Sequence, residues 1–147
     1  FGLARCRLAA GDRAGALTAY ERVPDSSSAY LDAQVARIRC LIGEAGTAGP
    51  KLDDLLAAGA ILGELPAESE QRVALTAELL ATALQLAQHG GLASNGQTTL
   101  LGHGLAERDL RFGLERCYRA LASRAGSGAE RIRLVDRANG IRPRTWT

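Results

Sequence analysis

Displaced by 32 positions, the chain partly reproduces itself: Leu3-Ala4-Arg5-Cys6-Arg7 falls on Val35-Ala36-Arg37-Ile38-Arg39, and Gly11-Asp12 falls on Gly43-Glu44. Each copy has room for two short helices, and a helix pair of that size cannot bury its apolar side alone. Neighbouring pairs must therefore stack. The rest of the chain agrees, because apolar residues recur at helical spacing nearly everywhere and no segment shows sustained strand-type alternation between hairpin turns. An all-α protein is expected. With 147 residues, 46% of them hydrophobic, such a chain buries roughly 68–70% of the surface its unfolded form exposes and needs no disulfide staples.

Capping and breaking residues place the helices. The first spans about residues 2–10 and stops at Gly11; Asp12 caps a second, which ends near Pro24. Residues 25–28, an Asp followed by three Ser, supply the N-cap of a third helix that runs to about Ile42 and is terminated by Gly43. Pro50 suits the first position of a fourth, with Leu52, Leu55, Leu56 and Leu62 as its apolar stripe. The longest helix covers about 67–89, with Glu68 and Glu70 at its positive end. The uncharged, glycine-rich segment 90–104 is expected as a loop, and residues 105–125 as a helix burying Leu110, Leu114, Cys117 and Leu121. The last helix, about 129–139, starts at a capping box, in which the Ser127 hydroxyl takes the Glu130 backbone N–H and the Glu130 side chain reaches back. Ile132, Leu134, Val135 and Ala138 are assigned to its apolar side, so that Ser127, Glu130, Ile132, Leu134 and Val135 build a C-terminal cap on the stack.

Two-helix units at a period near 34 residues are the mark of tetratricopeptide repeats. Leu3 and Ala4 take the places of the motif's Leu-Gly, where a small side chain lets two helices approach, and Gly11 makes the turn between them. Ala16-x-x-x-Tyr20 matches the motif's Ala-x-x-x-aromatic, a small residue at the crossing and a ring in the neighbouring hole. Departures are plain: Arg7 stands where an aromatic is usual, Ser28 where Pro is usual, an insertion at Thr47-Ala48-Gly49 delays the next helix, and beyond residue 66 the register is lost. The expected organisation is one tetratricopeptide-like α-solenoid domain over residues 1–147. Within it, 1–43 is the best repeat match, 44–66 completes the second helix pair, 67–89 is the long helix, 90–104 the loop and 105–147 the C-terminal helices. Phe1 in place of a start methionine suggests a piece of a longer chain, and an alanine-rich antiparallel bundle is the competing architecture.

The C-terminal third carries a more specific pattern. Leu100-Leu101-Gly102-His103 is followed by Glu107-Arg108-x-Leu110-Arg111-x-Gly113-Leu114-Glu115, by Tyr118-Arg119-x-Leu121-Ala122, and by Glu130-Arg131-Ile132-x-Leu134-Val135-Asp136-x-Ala138-Asn139-x-x-Arg142-Pro143-Arg144-Thr145. These strings resemble the tail of the actinobacterial protein kinase G family, and Phe1-Gly-Leu-Ala-Arg5 and Ala33-Gln-Val-Ala-Arg37 look like that family's tetratricopeptide region. Family members place a rubredoxin-like metal segment and a serine/threonine kinase core before such a domain, and phosphorylate a forkhead-associated regulator of glutamate metabolism. The resemblance implies a homodimer whose helical domain also holds the kinase core of its own parent chain, while three scattered cysteines with no C-x-x-C pair point to a reduced, cytoplasmic setting.

Catalysis has no visible residues here. A kinase needs a glycine-rich lid, a strand lysine, a catalytic Asp in an H-R-D loop and a metal-binding D-F-G; none of these strings occurs, and Lys51, the only lysine, adjoins a helix-starting Pro. Gly91-Leu-Ala-Ser-Asn-Gly96-Gln97-Thr98 imitates the spacing of a phosphate loop, but Gln97 replaces the essential lysine and no strand precedes it. His89 and His103 lack ligand partners at helical spacing; His89 is expected to interact with free carbonyls at a helix end, and His103 to be an ordinary loop residue. Cys6, Cys40 and Cys117 are read as small apolar residues of a reduced protein. No catalytic, metal-binding or cofactor-binding residue is assigned, and no cofactor is expected.

Charge points to protein partners. Residues 44–88 hold two basic and seven acidic groups, whereas residues 106–147 hold ten Arg and five acids. An acidic middle and an Arg-rich end are complementary enough for self-association, the alternative being ordinary solvated helix faces. The stripe of Arg108, Arg111, Arg116, Arg119 and Arg124 is interleaved with acids, and Glu107/Arg111 and Glu115/Arg119 are set to pair on the helix surface, so no nucleic acid is expected. Membrane insertion is not expected either, since no apolar run approaches the ~20 residues a span needs. The favoured function is a non-catalytic interaction and dimerisation domain of a protein-kinase-G-like serine/threonine kinase; the alternative is a free-standing adaptor that takes a peptide in a concave groove.

Overall fold

Acidic residues in first turns and a basic residue in a last turn complement the helix dipoles of this chain: Asp32 and Arg39 do so at opposite ends of one helix, and Asp53 and Asp54 at the start of the next. The computed structural model describes residues 13–24, 26, 30–42, 52–65, 70–89 and 99–142. Among them are six helices: α1 (Arg13–Glu21), α2 (Tyr30–Leu41), α3 (Leu52–Gly63), α4 (Glu70–Gln88), α5 (Glu107–Ser123) and α6 (Gly128–Ile141). Two short strands, β1 (Thr99–Leu100) and β2 (His103–Gly104), lie between α4 and α5 in sequence. The fold is all-α, and no helix among the described residues is long and apolar enough to cross a membrane. The backbone divides into two compact units, residues 1–65 and 66–147.

In the first unit α2 packs against both α1 and α3. Ala16, Tyr20 and Ala33 form one buried cluster, with Ala19, Val23 and Ala36 against it. On α3, Leu55 and Leu62 are buried while Leu52 and Leu56 are only half-buried. The expected helix over residues 2–10 lies outside the described residues, and with it Leu3, Ala4 and Gly11; so do the insertion at 47–49 and the phosphate-loop look-alike at 91–98.

In the second unit α5 is central, contacting both α4 and α6. Leu75, Leu79 and Leu80 of α4 and Leu110 and Leu114 of α5 are almost fully buried. Cys117 and Leu121, expected on the same buried side, are half-buried. Among the described residues, polar links bind α6 and its C-cap to α5: Arg119 Nη2 donates to Asn139 Oδ1 at 3.0 Å, Arg111 Nη1 donates to the Ile141 carbonyl at 3.4 Å, and Arg142 Nε lies 3.9 Å from Glu115 Oε1.

The last helix corrects the expected cap. Only Ala138 is buried; Leu134 and Val135 are half-buried, and Ile132 is 64% exposed. At about 100° per residue, Leu134 and Val135 fall within about 60° of Ala138, but Ile132 lies about 120° away and faces water. The capping box is half-made. Ser127 Oγ accepts from the Glu130 backbone N–H at 3.2 Å, whereas the return bond from the Glu130 side chain, which is exposed, does not form among the described residues.

The segment expected as a loop over 90–104 contains a hairpin. Thr99 pairs with Gly104 and Leu100 with His103, antiparallel, around a two-residue turn. Both turn residues are left-handed, Leu101 at φ 52° and Gly102 at φ 80°, as a turn matched to the strand twist requires. Glycine adopts this conformation freely, but for Leu101 it costs roughly 1–2 kcal/mol. Leu100 and Leu105, almost fully buried on either side, oppose that strain.

Candidate functional site

Ala16 and Tyr20, one turn apart on α1, are buried together against Ala33 of α2, so the small residue and the ring meet the neighbouring helix as the Ala-x-x-x-aromatic spacing expects. Next to this contact α1, α2 and α3 line a groove of about 400 Å³, apolar at Leu17, Leu41 and Ile61. Its charges include an opposed pair: Arg37 Nη2 meets Glu21 Oε1 at 2.8 Å. The Arg37 Nη1 also donates to Oε1 of the buried Gln34 at 3.3 Å, which holds the guanidinium in place.

The second unit holds a different kind of hollow. A cavity of about 250 Å³ is lined by Arg72, Val73 and Thr76 of α4, His103 of β2, and Gly113, Arg116, Cys117 and Ala120 of α5. Gly113 makes the arrangement fit: a Cβ there would lie 3.0 Å from Leu80 Cδ1 and 3.2 Å from both Nδ1 and Cε1 of His103. The imidazole thus rests on the one point of α5 that has no side chain. Thr76 Oγ1 donates to the Arg72 carbonyl at 2.7 Å. Burial pushes the Cys117 thiol up to about 11, with Arg116 pulling more weakly the other way; such a thiol stays protonated near neutrality and is no nucleophile.

His103, expected as an ordinary loop residue, therefore lines the cavity. The sequence did contain a signal, since a glycine inside a strongly helical run asks for a packing reason, but nothing in the spacing joins Gly113 to His103. His89 Nδ1 lies 2.7 Å from the Gln85 carbonyl near the end of α4, a carbonyl that also accepts the His89 backbone N–H at 3.2 Å and so is not a free one. Cys40 is buried, and Cys6 is outside the described residues. Arg111 and Arg119 pair with Glu107 and Glu115, both at 3.0 Å, and Arg108 lies over the Phe112 ring at 5.6 Å. No group of three or more His, Cys, Asp or Glu is arranged to hold a metal ion among the described residues.

The repeat-type contact at Ala16, Tyr20 and Ala33 agrees with what whole-chain comparison finds: residues 1–145 match the protein kinase G tetratricopeptide repeat family. The chain belongs to that family. It is 33% identical over 144 residues to the serine/threonine-protein kinase PknG of Mycolicibacterium smegmatis, and 29% identical over 143 residues to the protein of the same name from Mycobacterium leprae. Either alignment covers 97% of this chain but 18% of the relative, so the chain spans about a fifth of the length of the kinases it matches. The protein kinase G tetratricopeptide pattern thus extends through α5 and α6, where the simple 34-residue register no longer reads.

Proposed function

We propose that this chain is a non-catalytic protein-interaction domain of a protein-kinase-G-like serine/threonine kinase, with self-association and support of the kinase core as its two tasks. The observation that carries this reading is the family match across residues 1–145, on a chain that corresponds to 18% of the matching kinases. The parent would transfer phosphate from ATP to protein serine or threonine in the cytoplasm, using residues that this chain does not contain. Two features of the chain support an interaction role: surface hollows that mix apolar and charged side chains, and an acidic central stretch in the same chain as an Arg-rich C-terminal third. Opposed charge of this kind guides like chains together and is weakened by salt.

Size exclusion with light scattering at about tens of micromolar, where protein pairs of moderate affinity associate, tests self-association. The expected mass exceeds a monomer's and declines as salt rises. A strict monomer at every concentration removes the homodimer. Kinase motifs in the coding sequence that adjoins residues 1–147 test the parent; a reading frame without them refutes that part and favours the free-standing adaptor.

A further inference from the structure

The side of α6 turned away from α5 is open to water. Counted at about 100° per residue from the buried Ala138, that side carries Ala129, Ile132, Arg133, Asp136 and Gly140, all of them exposed. Ile132, at 64%, is the most exposed large apolar side chain among the described residues. Arg133 and Asp136 stand three residues apart, a spacing at which opposite charges can pair along one helix. They do not: neither side chain makes an ion pair or a hydrogen bond among the described residues. Ala129 and Gly140 bring almost no side chain to the same side, so another backbone can come close there.

We infer that this face pairs antiparallel with α6 of a second copy of the chain, Arg133 of each copy meeting Asp136 of the other. The inference rests on the self-association reading above and assigns it a surface. A helix laid antiparallel on its own copy meets the same residues in reverse order. With the two-fold axis midway between positions 133 and 136, each Arg133 is level with the other copy's Asp136, and each Ala129 with the other's Gly140. The two Ile132 side chains then border one edge of the contact, offset by about 7.5 Å along the helix axis. A partner of a single charge sign would set like against like at either Arg133 or Asp136, whereas a second copy satisfies both. A contact one helix wide per chain belongs with the small, weak interfaces, so at low micromolar concentration the face is open and Ile132 stays in water.

Light scattering behind size exclusion on the 147-residue chain, from about 10 to 300 μM at low salt, measures the association. Arg133→Asp and Asp136→Arg each set like charges opposite one another at both symmetric contacts, and each should weaken it by about tenfold or more. Ile132→Glu should weaken it by a similar factor. The double variant Arg133→Asp/Asp136→Arg keeps the net charge and reverses both members of the pair, so it should restore the association to within about threefold of the unaltered chain's. All three positions are exposed; circular dichroism checks that each variant is folded, and the charge swaps decide the matter if Ile132→Glu is not. A chain that self-associates with indifference to Arg133→Asp and Asp136→Arg, or a double variant no stronger than the single ones, overturns this face and leaves self-association standing. A strict monomer at every concentration removes both.

Discussion

Gly113→Ala is the substitution whose sign tests how tightly the hairpin sits on α5. In an exposed helix interior the change would stabilise by about 0.8–1.0 kcal/mol, because alanine loses less backbone freedom on folding. Here the new methyl group would lie 3.0 Å from Leu80 Cδ1 and 3.2 Å from the His103 ring, inside the ~3.5–4.0 Å at which carbon atoms attract. Leu80 is fully buried and cannot retreat without disturbing the α4 core. His103 is held by its pairing with Leu100. Overpacking of this kind costs typically about 1–3 kcal/mol, which exceeds the propensity gain and leaves a net loss of roughly 1 kcal/mol. For a unit of this size the melting temperature should fall by about 4–8 °C per kcal/mol. Thermal unfolding by circular dichroism measures it, with His103→Ala as a second background. Removing the ring relieves two of the three close contacts, so Gly113→Ala should cost at least about 0.5 kcal/mol less there, a coupling expected only of groups that touch. A Gly113→Ala variant that melts higher than the parent, or the same cost in both backgrounds, would refute the packing argument.

The remaining expectations concern three other places. Ser127→Ala removes the oxygen that accepts from the Glu130 N–H and should lower stability by about 0.5–2 kcal/mol, whereas Ile132→Ala, at a side chain 64% exposed, should change it by no more than about 0.5 kcal/mol; denaturant midpoints in the reverse order would show that Ile132 is covered after all. Because the Cys117 thiol is raised from 9.0 to about 11, its alkylation by iodoacetamide, followed by peptide mapping, should be far slower at pH 8 than that of glutathione and should accelerate as pH approaches the raised value; equal rates at pH 8 would contradict its burial. The same shift has a sign for stability: the unfolded thiol gives up its proton first, so this group's contribution falls as pH climbs from about 9 towards 11. The Glu21–Arg37 pair, with side chains 52% and 25% exposed, should show a double-mutant coupling of about 0.2–1 kcal/mol that shrinks in high salt; a coupling insensitive to salt would argue against an ion pair.

The elements legible in the chain are those that local chemistry dictates. A 3.6-residue apolar period, a serine before a helix and a glycine or proline after one act over a single turn, so the six described helices lie close to where spacing and capping residues put them. The Ala16 and Tyr20 contact was legible for a related reason, since a small residue four places before a ring can meet a neighbouring helix in few ways. Other features needed the neighbours. The last helix has two half-apolar sides, and the direction from which α5 approaches selects the one with Leu134, Val135 and Ala138, leaving Ile132 in water. The hairpin had no turn signal, because Leu101-Gly102 is a costly pair for a left-handed turn and only the burial of Leu100 and Leu105 makes it worth adopting. His103 then reaches the cavity because Gly113, ten residues away in sequence, leaves space beneath its ring. Periodicity and capping act between residues within about four positions of each other, so they determine which segments are helical; which sides those helices cover, and what gathers between them, depends on contacts that form only once the chain has packed.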